Sequence, residues 1–223
     1  MTGAAATRPV LYVLAGVNGA GKSSIGGYLL ERAGMGWFNP DTFARELAAE
    51  SGCGQTTANA LAWAEGMRRL DEAVAHGQSH AFETTLGGNT VVRKILDASR
   101  THDVLIWFCG LASPEQHLAR VRARVSAGGH DIPEAKIRAR YPAAQLNLIA
   151  LMPHLAHLQI YDNSADAAPG AAIPDPVLLL EMAAGRLMEP APGDAAWKNT
   201  PEWARALAEA ALDLSASQVA GDG

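Results

Sequence analysis

Residues Gly16–Ser24 form a loop whose residue types and spacing could bind a chain of phosphates. Its glycines let backbone N–H groups turn toward phosphate oxygens, and a following helix N-terminus would add its dipole. In this pattern Lys22 contacts the β- and γ-phosphates, and the Ser23 hydroxyl holds Mg²⁺. The loop follows the apolar run Val10–Ala15 and precedes a helical pattern, as a Walker A loop requires. The sequence therefore predicts a site for a nucleoside triphosphate, and the alternative is a glycine-rich turn without a ligand.

The most strand-like run of the chain, Val104–Cys109, ends without an acidic residue. Many nucleotide-driven proteins use an acid at such a strand end to hold Mg²⁺. Its absence argues against a motor, an AAA protein or a GTPase. Small-molecule kinases with this loop can instead place a carboxylate at the end of the neighbouring strand. Asp41 and Glu83 both follow short predicted strands, at the edge of a parallel sheet where ligands bind.

These two carboxylates have different candidate roles. A kinase needs an acidic residue to accept the proton of the acceptor hydroxyl, and Asp41 is the simplest candidate for that base. The alternatives for Asp41 are a cap of the following helix or a turn residue after Pro40. Glu83 could bind a sugar hydroxyl or a Mg²⁺-bound water, and its alternative is a solvated strand end.

A cluster of basic residues flanks the pair Gly128–Gly129. It contains Arg120, Arg122, Arg124, Lys136, Arg138 and Arg140, which are six of the 18 basic residues of the chain. A hinge between two arginine-bearing helices is typical of a lid, and such arginines neutralise a transferring phosphoryl group. We therefore predict a lid at about residues 124–140, and the alternative is a solvated helix surface.

Strand and helix patterns alternate along most of the chain, which predicts an α/β fold with a parallel sheet and helices on both faces. We assign residues 1–165 to a P-loop kinase-like core. Pro142 is expected to begin a separate helix after the helix Glu134–Arg140. Residues 166–223 are expected to form a linker, a hairpin and a C-terminal helix that packs on the core.

The composition excludes several classes of protein. The chain has 223 residues, 48% of them hydrophobic and 18% charged, which is typical of a globular domain. Its net charge of −5 argues against a nucleic-acid-binding surface. No apolar run has the length of a membrane helix. Two cysteines, Cys53 and Cys109, give no disulfide framework, so we expect a cytoplasmic protein with reduced thiols.

These motifs together resemble the zeta toxin family. The resemblance extends in order from about Val10 to Ser164, and its motifs are Gly16–Ser24, Asn39–Asp41, Phe82–Leu86, Gly128–Pro133, Ile137–Tyr141 and Tyr161–Ser164. It implies a P-loop kinase that uses ATP and Mg²⁺. The best-known members phosphorylate the 3′-hydroxyl of the amino sugar of UDP-N-acetylglucosamine, and an antitoxin protein is implied by the family.

The resemblance also implies roles for individual residues. Asp41 matches the catalytic base, and Glu83 and Thr85 match the substrate-binding acid and threonine. For the phosphate-stabilising arginines we prefer Arg124 and Arg140, with Arg120 and Arg138 as rivals. The expected nucleotide-binding residues are Gly16, Asn18, Gly19, Ala20, Gly21, Lys22, Ser23, Ser24, Arg120 and Asn163, with Ser23 as the metal ligand.

Two other functions stay open at this point. The same loop and lid serve nucleoside and polynucleotide kinases. A nucleotide-dependent switch without catalysis would use the predicted helix Pro201–Leu214 as its docking element. The chain is shorter than the large toxins that target the cell wall, so the kinase chemistry is better supported than the acceptor.

Overall fold

The fold is described from a computed structural model, which covers residues 8–23, 26, 30, 36–129, 131–166 and 174–221. In this part of the chain six strands form one sheet: β1 (Val10–Ala15), β2 (His80–Thr84), β3 (Asp103–Gly110), β4 (His157–Asp162), β5 (Val177–Ala183) and β6 (Arg186–Glu189). Their spatial order is β2-β1-β3-β4-β5-β6. The first four strands pair in parallel, and β5 and β6 add an antiparallel hairpin. The predicted α/β class is confirmed.

The labelled helices are α1 (Pro40–Ser51), α2 (Gln55–Ala75), α3 (Asn89–Ala98), α4 (Pro114–Ser126), α5 (Glu134–Leu151) and α6 (Arg205–Gly221). Asn39 caps α1 and Ser113 caps α4, each followed by a proline at the first helical position. The expected break at Pro142 is wrong, because α5 runs through it. Burial of Ile137, Ala144 and Leu148 holds that helix on the sheet and offsets the missing backbone bond. No helix of the described residues is long and apolar enough to cross a membrane.

The sheet register brings four strand ends to one edge. Ala15 of β1 lies opposite Thr84 of β2 and Phe108 of β3, and Gly110 lies opposite Asp162 of β4. The segments that follow these strands therefore lie side by side. They include the glycine-rich loop and residues 85–88, and this edge is where ligands bind in open parallel sheets.

The C-terminal segment packs against the core through Trp203, which is 6% exposed. Its ring lies so close to Gly110 that a Cβ on that glycine would be 2.1 Å from the ring. The indole N–H donates to Asp162 Oδ1 at 3.3 Å, so the tryptophan also fastens the end of β4. Leu207 and Ala211 of α6 belong to the same buried cluster, which also contains Leu180 of β5.

Trp203→Ala is expected to lower the free energy of unfolding by about 3–5 kcal/mol, because it opens a cavity under the strand ends. Chemical denaturation followed by circular dichroism measures this change. Trp63 gives the matched control, since it is 52% exposed on α2. Its replacement by alanine should cost about 0.5 kcal/mol or less. Equal effects of the two substitutions would contradict the packing role of Trp203.

Candidate active site

The glycine-rich loop has a backbone that glycine alone adopts without strain. Gly16, Gly19 and Gly21 have φ angles of 138°, 85° and 88°. A Cβ on Gly16 would lie 2.2 Å from the Cys109 carbonyl oxygen, and one on Gly21 would lie 2.4 Å from Asn163 Nδ2. The loop therefore packs tightly against Cys109 and Asn163, and neither position has room for a side chain.

Two side chains from other elements hold this loop by its carbonyl groups. Asn163, which is 8% exposed, donates from Nδ2 to the Ala20 carbonyl at 2.9 Å. His117 of α4 lies with Nδ1 2.9 Å from the Asn18 carbonyl, which can only accept, so Nδ1 carries the proton. Burial lowers the pKa of His117 to about 4, which keeps the imidazole neutral near neutral pH. Asn163, which we predicted to bind the nucleotide, contacts the phosphate loop itself, and its contact with a nucleotide stays a prediction.

Lys22, Ser23 and Glu83 meet at the start of the helix that follows the loop. Glu83 Oε1 lies 3.4 Å from the Lys22 ammonium, and the Ser23 hydroxyl donates to Glu83 Oε2 at 2.8 Å. The side chains of Lys22 and Glu83 are only 6% and 10% exposed, so this ion pair is buried. The end of β2 thus brings a carboxylate onto the two side chains that the loop motif assigns to phosphate and metal.

Asn39 joins this cluster to the first turn of α1. Its Nδ2 donates to Glu83 Oε2 at 2.9 Å and to Ser23 Oγ at 3.3 Å. Its Oδ1 accepts from the backbone N–H groups of Asp41 and Thr42 at 2.9 and 3.1 Å. The cap of α1 is therefore Asn39. The alternative in which Asp41 caps this helix is wrong. Asp41 is the second residue of the helix, and its side chain is 41% exposed.

The structure separates the four candidate arginines into two pairs. Arg124 Nη1 lies 3.7 Å from Asp41 Oδ2, and Arg140 Nη1 donates to Asn18 Oδ1 at 2.7 Å. Burial lowers the pKa of Arg140, and the nearby Asp41 carboxylate opposes this shift. Arg124 thus lies at Asp41, and Arg140 lies at the phosphate loop with the Asp41 carboxylate nearby.

The two rival arginines have carboxylate partners elsewhere. Arg120 donates to Asp166 at 2.9 Å and to the Ala165 carbonyl at 3.0 Å. Arg138 donates to Glu115 at 2.7 Å and to Glu134 at 2.8 Å. Arg120, which we predicted to bind the nucleotide, lies beside the segment that follows β4, and its contact with a nucleotide stays a prediction.

Thr85, Ser24 and the lid are the remaining predicted parts of the site. Thr85 lies in the segment after β2, where its Oγ1 accepts from the Gly87 N–H at 3.4 Å. Gly87 in turn contacts Arg140, because a Cβ there would lie 2.5 Å from Arg140 Cγ. Ser24 lies outside the described residues. The predicted lid consists of the last turn of α4, a turn at Gly128 (φ 91°) and the first turns of α5, and its closure stays a prediction.

These residues fit a nucleotide with Mg²⁺. Close packing leaves no room for a Cβ at Gly16 or Gly21, which keeps the loop free of side chains there, and Lys22 provides a cation in the same loop. No group of three or more His, Cys, Asp and Glu among the described residues could hold a metal alone. Mg²⁺ instead takes one or two protein oxygens together with waters and phosphates, and Ser23 and Glu83 provide such oxygens.

The fold and this loop define a P-loop protein with a kinase-like fold. The chain matches the AAA domain family (AAA_33) over residues 11–142, more than half of its length, and belongs to that family. The missing acid at the end of β3, which we took as evidence against an AAA protein, therefore does not exclude this family. The strand order gives the physical reason. The acid beside the loop is Glu83 at the end of β2, which flanks β1 on the side opposite to β3.

A protein of Haemophilus influenzae described as uncharacterized is 36% identical over 61 residues, which cover 27% of this chain and 44% of that protein. A crystal structure of AvrRxo1-ORF1:-ORF2 with ATP has a similar fold, with a TM-score of 0.64 and 15% identity. That match covers 92% of this chain and 64% of the other. The PezAT chromosomal toxin–antitoxin system of Streptococcus pneumoniae matches with a TM-score of 0.52 and 14% identity, over 71% of this chain and 69% of the other. The chain thus spans less than two thirds of the first two of these proteins.

Proposed function

We propose that the chain is an ATP-dependent small-molecule kinase of the zeta toxin type. It would transfer the γ-phosphoryl group of ATP to a hydroxyl of a UDP-activated sugar such as UDP-N-acetylglucosamine. The observation that carries this proposal is the placement of Asp41 and Arg124 beside the Lys22–Ser23–Glu83 cluster, joined through Asn39. A base, arginines and a phosphate loop at one sheet edge are the parts that phosphoryl transfer needs.

Asp41 has the exposure and position of a general base. Its side chain is 41% exposed, and its Oδ2 forms an ion pair with Arg124 Nη1 at 3.7 Å. The Asp41 carboxylate would accept the proton of the acceptor hydroxyl while that oxygen forms a bond to the γ-phosphorus. The bond from the γ-phosphorus to the bridging oxygen breaks at the same time, and ADP leaves with the electron pair.

The cations of the site would stabilise the phosphoryl oxygens. Arg140 is anchored by its stem on Gly87 and by Asn18, so its charge is held in place beside the loop. Lys22 would exchange its buried partner Glu83 for a phosphate oxygen. Mg²⁺ at Ser23, with Glu83 close by, would supply further neutralisation of phosphate charge. Preorganised charge of this kind needs no reorganisation during the reaction.

The acceptor part of the proposal is supported by the resemblance at Glu83 and Thr85. The fold similarity to AvrRxo1-ORF1:-ORF2 and to the PezAT toxin–antitoxin system supports a second part, that the chain is a toxin with an antitoxin protein as partner. The low cysteine content supports a cytoplasmic location for it. Nucleoside and polynucleotide acceptors remain the competing class.

Incubation with ATP and Mg²⁺ and a panel of UDP-sugars and nucleosides tests the proposal. We expect a phosphorylated UDP-sugar, identified by mass spectrometry, and ADP in equal amount. A reaction without acceptor measures hydrolysis alone. Phosphorylation of nucleosides only would favour the competing class, and ADP release that no acceptor changes would contradict a kinase.

A further inference from the structure

Asn39 lies beside the end of the edge strand β2, because the residue before it pairs with that strand. Residues 36–39, the described segment before α1, do not form the short strand that we predicted, but Phe38 makes a single parallel bridge to Phe82 on the outer side of β2. The Phe38 N–H donates to the Ala81 carbonyl and the Glu83 N–H donates to the Phe38 carbonyl, both at 2.9 Å. Because the bridge is parallel, Asn39 follows Phe38 as Glu83 follows Phe82, and the two side chains become neighbours.

The Asn39 carboxamide uses both of its ends. Its oxygen accepts from two backbone N–H groups of α1, and its nitrogen donates to Glu83 and Ser23. Neither aspartate nor serine could make the same set of contacts. An ionised aspartate has no donor for Glu83 and Ser23, and a serine side chain is too short to reach them. The chemistry of the partners also fixes which end is which, since backbone N–H groups only donate.

We propose that Asn39 is a positioning residue that fixes Asp41 relative to the phosphate loop. This inference rests on the proposed function, in which Asp41 is the base. The Asn39 side-chain oxygen accepts a hydrogen bond from the Asp41 backbone. Its nitrogen donates hydrogen bonds to the Ser23 hydroxyl and the Glu83 carboxylate. A single side chain therefore sets the distance between the acceptor side and the phosphate side of the site.

A helix cap alone would explain only half of these contacts. Serine is about as good a cap as asparagine, so Asn39→Ser should keep α1 and lose the contact with Glu83. Asn39→Ala should lose both. The Asp194 carboxylate caps the short 3₁₀ helix Ala195–Asn199 far along the chain, and Asp194→Ala is the matched control for the loss of a cap.

The test compares the melting temperature, the nucleotide affinity and the turnover of these variants. We expect Asn39→Ser to keep the melting temperature and the affinity for a non-hydrolysable ATP analogue within about twofold. Its turnover should fall by about 10²-fold, as for Asn39→Ala, because a small misplacement of a reacting group can cost that much. Asp194→Ala should keep full turnover.

A mutant cycle with Asp41 separates positioning from a general weakening of the fold. If Asn39 acts through Asp41, then Asn39→Ser should cost no more than about twofold in an Asp41→Asn background. If the turnover of the variant with both substitutions fell by the product of the two single losses, the inference would be overturned. Full turnover of Asn39→Ser in an active protein would also overturn it, and the proposed function would stand. A wild-type protein that phosphorylates no acceptor would overturn the proposed function and the positioning role together.

Discussion

Asp41→Asn is expected to lower the turnover with a UDP-sugar by about 10²–10⁴-fold while nucleotide affinity stays the same. The amide keeps the shape of the side chain and loses the proton acceptor. The fold should tolerate the change, because Asn39 is the cap of α1 and Asp41 is 41% exposed. Loss of an acidic charge near a helix N-terminus costs about 0.3–1 kcal/mol.

Paired measurements of turnover and of calorimetric nucleotide affinity test this expectation. Asp71→Asn is the control, since Asp71 is an exposed carboxylate that pairs with Lys94 on the surface. An Asp41→Asn protein with normal turnover would return Asp41 to a role at the helix start. It would also favour the nucleotide-dependent switch over the kinase.

Lys22→Ala is expected to remove detectable phosphoryl transfer. Loss of one charge-stabilising donor in a water-poor site typically costs about 10²–10³-fold in rate, and Lys22 would also contribute to nucleotide binding. The product assay by mass spectrometry measures the loss. If the chain is a toxin, its expression should slow growth and expression of Lys22→Ala should not. Lys94→Ala, which removes a surface lysine, should behave as the wild type in both assays.

The fold of the Lys22 variant needs a separate check. Lys22 and Glu83 form a buried pair, and removal of one partner of such a pair can cost about 3–5 kcal/mol. The double variant Lys22→Ala with Glu83→Gln removes the uncompensated charge and should fold while it remains inactive. Transfer at the wild-type rate by a folded Lys22→Ala protein would contradict the assignment of the loop.

The sheet and the phosphate loop could be predicted from the sequence because both follow local patterns. The apolar run of β1 and the glycine spacing after it define a strand, a turn and a helix start without any distant partner. The choice of Arg124 and Arg140 over Arg120 and Arg138 could not be derived from spacing. It depends on where Glu115, Glu134 and Asp166 lie, and these contacts form only when α4, α5 and the segment after β4 pack together.

Two features of the site had no usable signal in the sequence. His117 is one polar residue on an arginine-rich helix, and its bond to Asn18 crosses 99 positions of the chain. The direct contact of Glu83 with Lys22 and Ser23 was not predicted, and the roles of Glu83 in binding metal-bound water or a sugar stay predictions. That contact depends on the placement of β2 beside β1, which the sequence pattern does not specify.

The hairpin of β5 and β6 also has a consequence for self-association. Without it, the outer edge of β4 would present unpaired N–H and C=O groups, which template pairing between chains. β6 closes the sheet with only four residues, begins with Arg186 and is followed directly by Pro190. Short strands, charges and prolines are the means by which natural proteins keep sheet edges from joining. A chain cut after β4 should therefore form aggregates through that exposed edge, even with its phosphate loop intact.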